Sequence, residues 1–392
     1  MRITELEFTP VSVPYTHREN SSQVVRDGVT SVIVRITASN KLVGWGESCS
    51  GADVGSVISA LQALRPFIEG RNPWNREAMW RDAFHRGVWN FREPTFNFAW
   101  AGIDMALWDL CGRQAGQPLY NLLGGLQRRR VEYFCYLPFG AEFDELREAC
   151  RCGVADGYRI FYIKVGVDID RECENVRIIR EEIGANGEIR IDANEAWTVA
   201  EATRNLARLN EFGIGLAEQP VPAEPVANML ELRARTEVPL AANEGLWRLQ
   251  DAWNCLKQRA ADVLCFSPYW VGSIGHFHRL SHLAALEGLS ICKHTHGELG
   301  LAAVAAQHVL LTLPRIVDGH QQTAAMMEKD ILSDPLPIAR QPIWEAAPGP
   351  GLGVEVDEEK LEHYARHHDE RGQYLPYDRR SLAREDPGWH KI

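Results

Sequence analysis

Residues 189–218, IRIDANEAWTVAEATRNLARLNEFGIGLAE, decide the fold of this chain. A short apolar run ends at Asp192, an amphipathic helical pattern follows, and a second apolar run ends at Glu218. Nearly continuous apolar strands that alternate with helices are typical of a parallel sheet, because parallel strands need a long crossover connection between them. The stretch therefore predicts one strand–helix–strand unit.

The same unit repeats on both sides of this stretch. Eight short runs rich in β-branched or apolar residues alternate with helical patterns, and their ends lie about 23 to 28 residues apart. The runs are Val131–Leu137, Arg159–Val165, Ile189–Asp192, Ile214–Glu218, Val238–Glu244, Asp262–Ser267, Leu289–His294 and Arg315–Asp318. Eight units at one period predict a TIM-type β/α barrel rather than an open sheet.

The chain is long enough for a second domain. It has 392 residues, whereas such a barrel typically occupies about 250. Strand patterns and then helical patterns precede the barrel, with Gly44 and Gly46 indicating tight turns or close backbone approach. We predict an α+β capping domain over residues 1–125, the barrel over residues 126–325, and a Pro- and Gly-rich segment over residues 326–392 that returns to the cap.

Composition and charge narrow the possible partners. The net charge is −11 and no dense Lys/Arg run occurs, so we expect no nucleic-acid partner. No apolar run is long enough to span a membrane, and the N-terminus lacks the pattern of a signal peptide. The nine cysteines include no CxxC pair, which indicates a reducing compartment. We expect a cytoplasmic protein that forms a homo-oligomer.

Charged side chains end several of the predicted strands. Lys164, Asp192, Glu218, Glu244 and His294 stand at or near the ends of the second, third, fourth, fifth and seventh runs. The spacings from Asp192 to Glu218 and from Glu218 to Glu244 are both 26 residues. The carboxyl ends of barrel strands open into one mouth, where barrel enzymes place their chemistry. We therefore expect these five side chains to meet.

Three carboxylates in one mouth repel one another unless a cation lies between them. An all-carboxylate oxygen site suits Mg²⁺ or Mn²⁺ better than zinc. Each carboxylate could instead cap the helix that follows it, but three at matched positions after apolar strands favour a metal. We predict that Asp192, Glu218 and Glu244 bind Mg²⁺, with Mn²⁺ as the alternative ion.

Lys164 and His294 are the candidate proton-transfer groups. Lys164 lies in the apolar run FYIKVG (161–166), where a buried amine costs free energy unless it is partnered or extends out to solvent. A neighbouring divalent cation would lower its pKa and make it a usable base. His294 ends strand seven, opposite Lys164. The pair His294 and His296 also resembles the HxH metal pair of barrel hydrolases, but those enzymes carry it after strand one.

These residues carry a family resemblance that spans essentially the whole chain. The stretches AGIDMALWDLCGRQAGQPLYNLLGG (101–125), IDANEAW (191–197), EQP (218–220) and GPGLGVEVD (349–357) resemble the enolase superfamily, in its mandelate racemase-like branch. The resemblance implies a Mg²⁺ site at Asp192, Glu218 and Glu244, a base at Lys164 and an acid/base at His294. It also implies a small-molecule carboxylate substrate, covered by cap loops near residues 16–26 and 47–54.

Two positions depart from the family pattern. The family carries Lys-x-Lys on strand two, and Tyr162 replaces the first lysine here. The family pairs its histidine with an aspartate at the end of strand six, where this chain has Ser267. Further candidates for contact with the substrate or its surrounding residues are Tyr162, Asn194, Ser267, His296, Glu298, Asp318, His17, Arg18 and Asn20.

Three functions remain open from the residues. Dehydration of a sugar acid needs one base, Lys164, and one proton donor, His294, and it is the function that we favour from the sequence. An isomerase, either a lactone cycloisomerase or an epimerase, is the second possibility. A racemase needs two competent bases, and a histidine without its aspartate is a weaker base. The third possibility is a metal-binding relative without catalytic activity.

Overall fold

The structure is a computed structural model that describes residues 1–20, 24–49, 53–327 and 329–376, except for the side chain of Asn20. No helix in these ranges is long and apolar enough to cross a membrane. All nine cysteines lie in them as free thiols. Parts of the two predicted cap loops, residues 21–23 and 50–52, lie outside the described residues.

The N-terminal part is an α+β cap. Strands β1 (Ile3–Asn20), β2 (Val25–Ala38) and β3 (Val43–Cys49) form an antiparallel sheet, and four helices follow: α1 (Val54–Leu64), α2 (Arg76–Arg86), α3 (Thr95–Ala115) and α4 (Leu119–Leu122). Helix α3 lies directly on β3. A Cβ atom at Gly46 would run into the carbonyl oxygen of Gly102 on α3, which confirms that the glycine allows close backbone approach.

A curled parallel sheet of seven strands follows. The strands, in spatial and chain order, are β5 (Cys135–Tyr136), β6 (Ile160–Lys164), β7 (Glu188–Asp192), β8 (Ile214–Glu218), β9 (Leu240–Ala242), β10 (Val263–Phe266) and β11 (Ser290–Lys293). They are joined by helices α5 (Phe143–Ala155), α6 (Ile169–Ile183), α7 (Val199–Asn210), α8 (Ala227–Arg233), α9 (Leu249–Gln258) and α10 (Ile274–Leu286), and α11 (Gly300–Leu310) follows β11. Apolar side chains such as Leu216, Val263 and Cys292 fill the inside of the sheet.

Two predicted strands differ from the structure. The first run divides, because β4 (Arg130–Glu132) pairs antiparallel with β12 (Ile343–Glu345) and only β5 joins the parallel sheet. The eighth run, 315–318, is not a strand. Only single bridges form in this region: Ile291 with Ile316 and, just beyond the run, Tyr133 with His320. Pro314 and Gly319 flank the run and interrupt a ladder, and the φ angle of Gly319 is 71°. Within residues 126–325, all of which the structure describes, no continuous ladder therefore closes the barrel.

The C-terminal segment packs on the cap. Helix α12 (Glu358–Arg371) lies against β1, where the Ser12 hydroxyl donates to the carbonyl oxygen of Gly372 at 3.0 Å. The Tyr374 amide donates to Thr30 Oγ1 at 2.9 Å. These bonds tie the end of the described chain to the first sheet.

Buried carboxylates join the cap to the barrel helices. Glu47 on β3 accepts the amides of Leu299 and Ala302 at the start of α11, at 2.8 and 3.0 Å. Asp104 on α3 accepts the amide of Ile274 at the start of α10, at 2.8 Å. A carboxylate at a helix N-terminus satisfies free amides and the helix dipole, so these contacts hold the cap over the ends of the strands.

Candidate active site

The strand register brings three of the predicted residues to one level. Lys164 on β6 pairs with Asp192 on β7, and Asp192 pairs with Glu218 on β8. All three side chains end their strands and are largely buried. Parallel strands place residues at matched register on the same face of the sheet, so the mouth gathers an amine and two carboxylates side by side.

Asp192 is the centre of this group. The Lys164 ammonium donates to Asp192 Oδ2 at 2.6 Å, and the Tyr162 hydroxyl donates to the same oxygen at 2.5 Å. Lys164 also donates to Asn194 Oδ1 at 2.8 Å. Burial alone would lower the pKa of Lys164, but the Asp192 and Glu218 carboxylates raise it above its ordinary value. Lys164 is therefore a protonated ion-pair partner when Asp192 carries no other cation.

Glu218 is held by a residue that the sequence analysis missed. The side-chain amide of Gln321 donates to Oε1 and Oε2 of Glu218, at 2.8 and 2.6 Å. The side-chain oxygen Oε1 of Gln321 accepts a hydrogen bond from the backbone amide of Thr295 at 3.1 Å. Gln321 therefore links a predicted metal ligand to the loop that carries His294. The motif HQQT (320–323), directly after the eighth run, was the available signal.

Glu244 lies just beyond β9, at the start of a 3₁₀ turn, Glu244–Leu246. Its Oε1 accepts a hydrogen bond from the side-chain amide of Asn194 at 2.9 Å. Its other oxygen, Oε2, is buried and has no partner among the described residues. A cavity of about 380 Å³ adjoins Glu244 and is also lined by Trp247 and Met229. An unsatisfied buried carboxylate oxygen is costly and indicates that a ligand belongs beside it.

The three carboxylates are the type of ligand that a hard divalent cation prefers and lie at neighbouring strand ends, but they do not converge on one point. Across the described ranges, no three His, Cys, Asp or Glu side chains are close enough to hold a metal ion. Separate donors satisfy them instead: Lys164 at Asp192, Gln321 at Glu218 and Asn194 at Glu244. Metal binding therefore requires these side chains to exchange partners.

We expect the stability of the metal-free protein to depend on Glu244. Burial and the Asp192 charge raise the pKa of Glu244 from 4.5 to about 8. The folded protein then binds more protons than the unfolded chain between these values, so the free energy of unfolding falls as pH rises through this window. Denaturant titration of wild-type protein and Glu244→Gln in chelator, from about pH 5 to about pH 8, measures the difference. An identical pH slope in both proteins would contradict the assignment.

Gln321→Met tests the bridge to Glu218. Methionine keeps the length of the side chain but donates no hydrogen bond, so Glu218 loses its orienting partner. We expect Mg²⁺ affinity, measured by calorimetry, to fall by about 10- to 100-fold, as is typical when a partner of a metal ligand is lost. Gln258→Met, at the exposed end of α9, is the matched control. Unchanged affinity in Gln321→Met would show that the bridge is dispensable.

His294 directly follows β11, and no carboxylate of the described residues is bonded to its Nδ1. Its Nδ1 is buried and unbonded within the part of the chain that the structure describes. The Ser267 hydroxyl donates to the backbone oxygen of His294 and not to the imidazole. Burial, followed by His296 and the charge of Lys164, lowers the pKa of His294 well below 6.5. The imidazole is therefore neutral at physiological pH.

The two other candidates on this loop have partners of their own. Trp270 donates its indole N–H to His296 Nδ1 at 3.1 Å, and its ring lies 4.4 Å from that of His294. Glu298 forms a fully buried ion pair with Lys293. The pair ties Glu298 to the last residue of β11.

The cap contributes different residues from those predicted. Arg26 forms a buried ion pair with Glu19 at 2.5 Å, and its guanidinium lies beside Gly297 on the His294 loop. His17 is exposed, and Arg18 is 57% exposed and paired with Asp27. The side chain of Asn20 lies outside the described residues. The hairpin therefore presents Arg26 and Glu19 to the mouth, rather than His17 and Arg18.

Asp318 does not belong to the site. Its side chain is 67% exposed and faces Arg159, at 3.9 Å, while its backbone oxygen accepts Arg190. The structure places Asp318 away from Glu218, and the residue of this segment that contacts Glu218 is Gln321, three positions further along the chain.

A cap over a curled parallel β/α sheet, with acidic and basic groups at the strand ends, defines the enolase type of protein. The Mandelate racemase / muconate lactonizing enzyme N-terminal domain matches residues 8–124, and the Enolase C-terminal domain-like family matches residues 145–360. The chain belongs to the mandelate racemase/muconate lactonizing enzyme branch of the enolase superfamily.

Its relatives catalyse several reactions. The N-succinyl-L-Arg/Lys racemase of Bacillus cereus is 27% identical, over 92% of this chain and 97% of the relative. The D-galactarolactone cycloisomerase of Agrobacterium fabrum is 29% identical, over 84% and 90%. The muconate lactonizing enzyme of Pseudomonas fluorescens superposes with a TM-score of 0.86 at 25% identity, covering 93% and 99%. An arabinonate dehydratase also matches.

Proposed function

We propose that this protein is a Mg²⁺-dependent enzyme that removes the proton from the carbon next to a substrate carboxylate. One observation carries the proposal: Lys164 Nζ lies 2.6 Å from Asp192 Oδ2 at matched strand ends, with Glu218 on the next strand. A base and metal-binding carboxylates in one water-restricted mouth are what such chemistry requires. The family relation supports the same general mechanism.

Asp192, Glu218 and Glu244 would hold the ion. Bound there, a divalent cation supplies positive charge that stabilises the negative charge developing on the substrate carboxylate and lowers the pKa of Lys164. The ammonium of Lys164 would then no longer be needed as the countercharge of Asp192. Lys164 then loses its proton and gains the lone pair that a base needs.

Lys164 takes the α-proton onto Nζ. Asn194 accepts a hydrogen bond from this amine at 2.8 Å and donates to Glu244 at 2.9 Å. It therefore keeps the amine beside the predicted ligands while the contact to Asp192 is exchanged. Tyr162 stays neutral, because burial and then the charge of Asp192 raise its pKa well above 10.0, and it acts as a hydrogen-bond donor to Asp192.

The ability of His294 to donate a proton limits which group can leave from the β-carbon of the substrate. A departing hydroxide needs a proton from an acid, whereas the carboxylate released when a lactone ring opens leaves as a stable anion. A neutral imidazole with a lowered pKa is a poor acid for the first reaction and is sufficient for the second. We therefore favour isomerisation of a sugar-acid lactone. Dehydration of a sugar acid, which the sequence favoured, becomes the second candidate.

The lining of the mouth supports a hydroxylated substrate. Buried polar atoms around Lys164 and the His294 loop have no partner among the described residues: Tyr15 Oη, Tyr136 Oη, His294 Nδ1 and His296 Nε2. Such atoms cost about 1–3 kcal/mol each unless they are bonded. A substrate with several hydroxyl or carbonyl oxygens satisfies them, whereas an apolar acid does not.

A panel of sugar acids and their lactones, incubated with enzyme and Mg²⁺, tests the proposal. Mass spectrometry and proton NMR separate the candidates, because isomerisation keeps the mass and dehydration removes water. We expect a lactone to give a product of unchanged mass. A keto acid formed with loss of water would favour the second candidate. Racemisation of the α-carbon without ring opening would contradict the assignment of a single effective base.

A further inference from the structure

His296 has its proton position set by a neighbouring tryptophan. The indole nitrogen of Trp270 lies 3.1 Å from His296 Nδ1. An indole N–H only donates, so His296 Nδ1 must be the acceptor. A neutral imidazole with an accepting Nδ1 carries its proton on Nε2. The contact therefore selects one tautomer of His296.

The proton on Nε2 has no acceptor in the described part of the protein. Nε2 is buried and unbonded, and the rings of Tyr269 and Phe98 pack edge-on against the imidazole, with centroids at 4.9 and 5.6 Å. Burial, followed by the charges of Arg26 and Lys293, lowers the pKa of His296 to about 3. The imidazole therefore stays neutral and carries an N–H that no described group accepts.

We propose that His296 is a specificity-determining residue whose Nε2–H binds an oxygen acceptor of the substrate, a hydroxyl or carbonyl oxygen away from the carboxylate next to the reacting carbon. This assignment rests on the proposed function, because it places His296 in the same mouth as Lys164 and His294. An unpartnered donor beside the acid/base residue increases the affinity for substrates that carry such an oxygen and lowers it for those that lack it. Trp270 is the positioning residue that keeps the donor in place.

The tautomer is tested without turnover. Two-bond ¹H–¹⁵N correlation spectra of ¹⁵N-histidine-labelled protein identify the protonated ring nitrogen. We expect His296 to be the Nε2–H tautomer without titration from about pH 5 to about pH 8. Trp270→Phe keeps a ring against His294 but removes the donor, and should allow both tautomers. An Nδ1–H tautomer in the wild-type protein, or titration of His296 in this range, would overturn the proposal.

The ligand role is tested with matched substrates. His296→Gln keeps an N–H donor, and His296→Leu removes it. For the best substrate found, we expect Leu to raise KM about 10- to 100-fold with little change in kcat and Gln to recover part of the loss. For an analogue that lacks the oxygen concerned, the three proteins should have equal KM. Equal KM with the full substrate, or a loss in kcat alone, would overturn the proposal.

Binding spectra separate the failures. One outcome is that a compound of the panel shifts the His296 Nε2–H signal on binding while no compound exchanges its α-proton. In that case the proposed function fails, but the binding role of His296 is retained. If α-proton exchange occurs but this signal stays unchanged on saturation with substrate, the donor faces only water, and the inference about His296 fails alone.

Discussion

Lys164→Ala is expected to lower the rate of α-proton exchange by about 10²- to 10⁴-fold, the usual contribution of a positioned base. The loss follows because the amine of Lys164 contacts both Asp192 Oδ2 and Asn194 Oδ1, and alanine removes it. Mg²⁺ affinity should be retained or increased, since the ammonium no longer competes for Asp192 Oδ2. Calorimetry and NMR exchange rates measure the two effects separately.

The matched control is Lys257→Ala, at an exposed position on α9. It should leave both measurements unchanged. If Lys164→Ala kept normal exchange with intact metal binding, Lys164 would not be the base. Loss of metal binding together with exchange would assign the residue a structural role.

Glu218→Gln is expected to change metal affinity and stability in opposite directions. Loss of a direct ligand should weaken Mg²⁺ binding by more than the about 10- to 100-fold typical of an outer partner. Burial and the neighbouring Asp192 raise the pKa of Glu218 well above 4.5, so the charged form of this carboxylate is destabilised in the metal-free protein. Removing its charge should therefore increase the free energy of unfolding in chelator at neutral pH.

Glu211→Gln, exposed after α7, is the control for removing one negative charge. It should change neither quantity measurably. A Glu218→Gln protein that binds Mg²⁺ as tightly as the wild type would remove Glu218 from the metal site. A large loss of stability in chelator would show that Glu218 is needed for folding instead.

The positions of Lys164, Asp192 and Glu218 could be predicted because parallel strands fix them. Each residue ends an apolar run, and residues at matched strand ends share one mouth. The structure places them in register. What the strand pattern could not show is the orientation of the side chains, which depends on whether Lys164, Gln321 or a cation satisfies each carboxylate.

Residues off the regular strands were harder to predict. Pro314 and Gly319 flank the eighth run, which forms no ladder. The last residue of the run, Asp318, was therefore chosen as a candidate instead of Gln321. The hairpin of β1 and β2 contains a register shift between Pro14 and Glu19, which breaks the alternation that would assign Arg26 to the mouth. The contact of Trp270 with His296 joins two loops that are distant in sequence, and no local pattern reports such a contact.

Solvent-deuterium exchange tests the central claim most directly. The enzyme is incubated in D₂O with Mg²⁺ and a panel of hydroxylated acids and lactones, and loss of the α-proton signal is followed by NMR. We predict exchange into at least one compound, abolished by chelator and by Lys164→Ala. Absence of exchange across the panel, or exchange that persists without metal or without Lys164, would contradict the account.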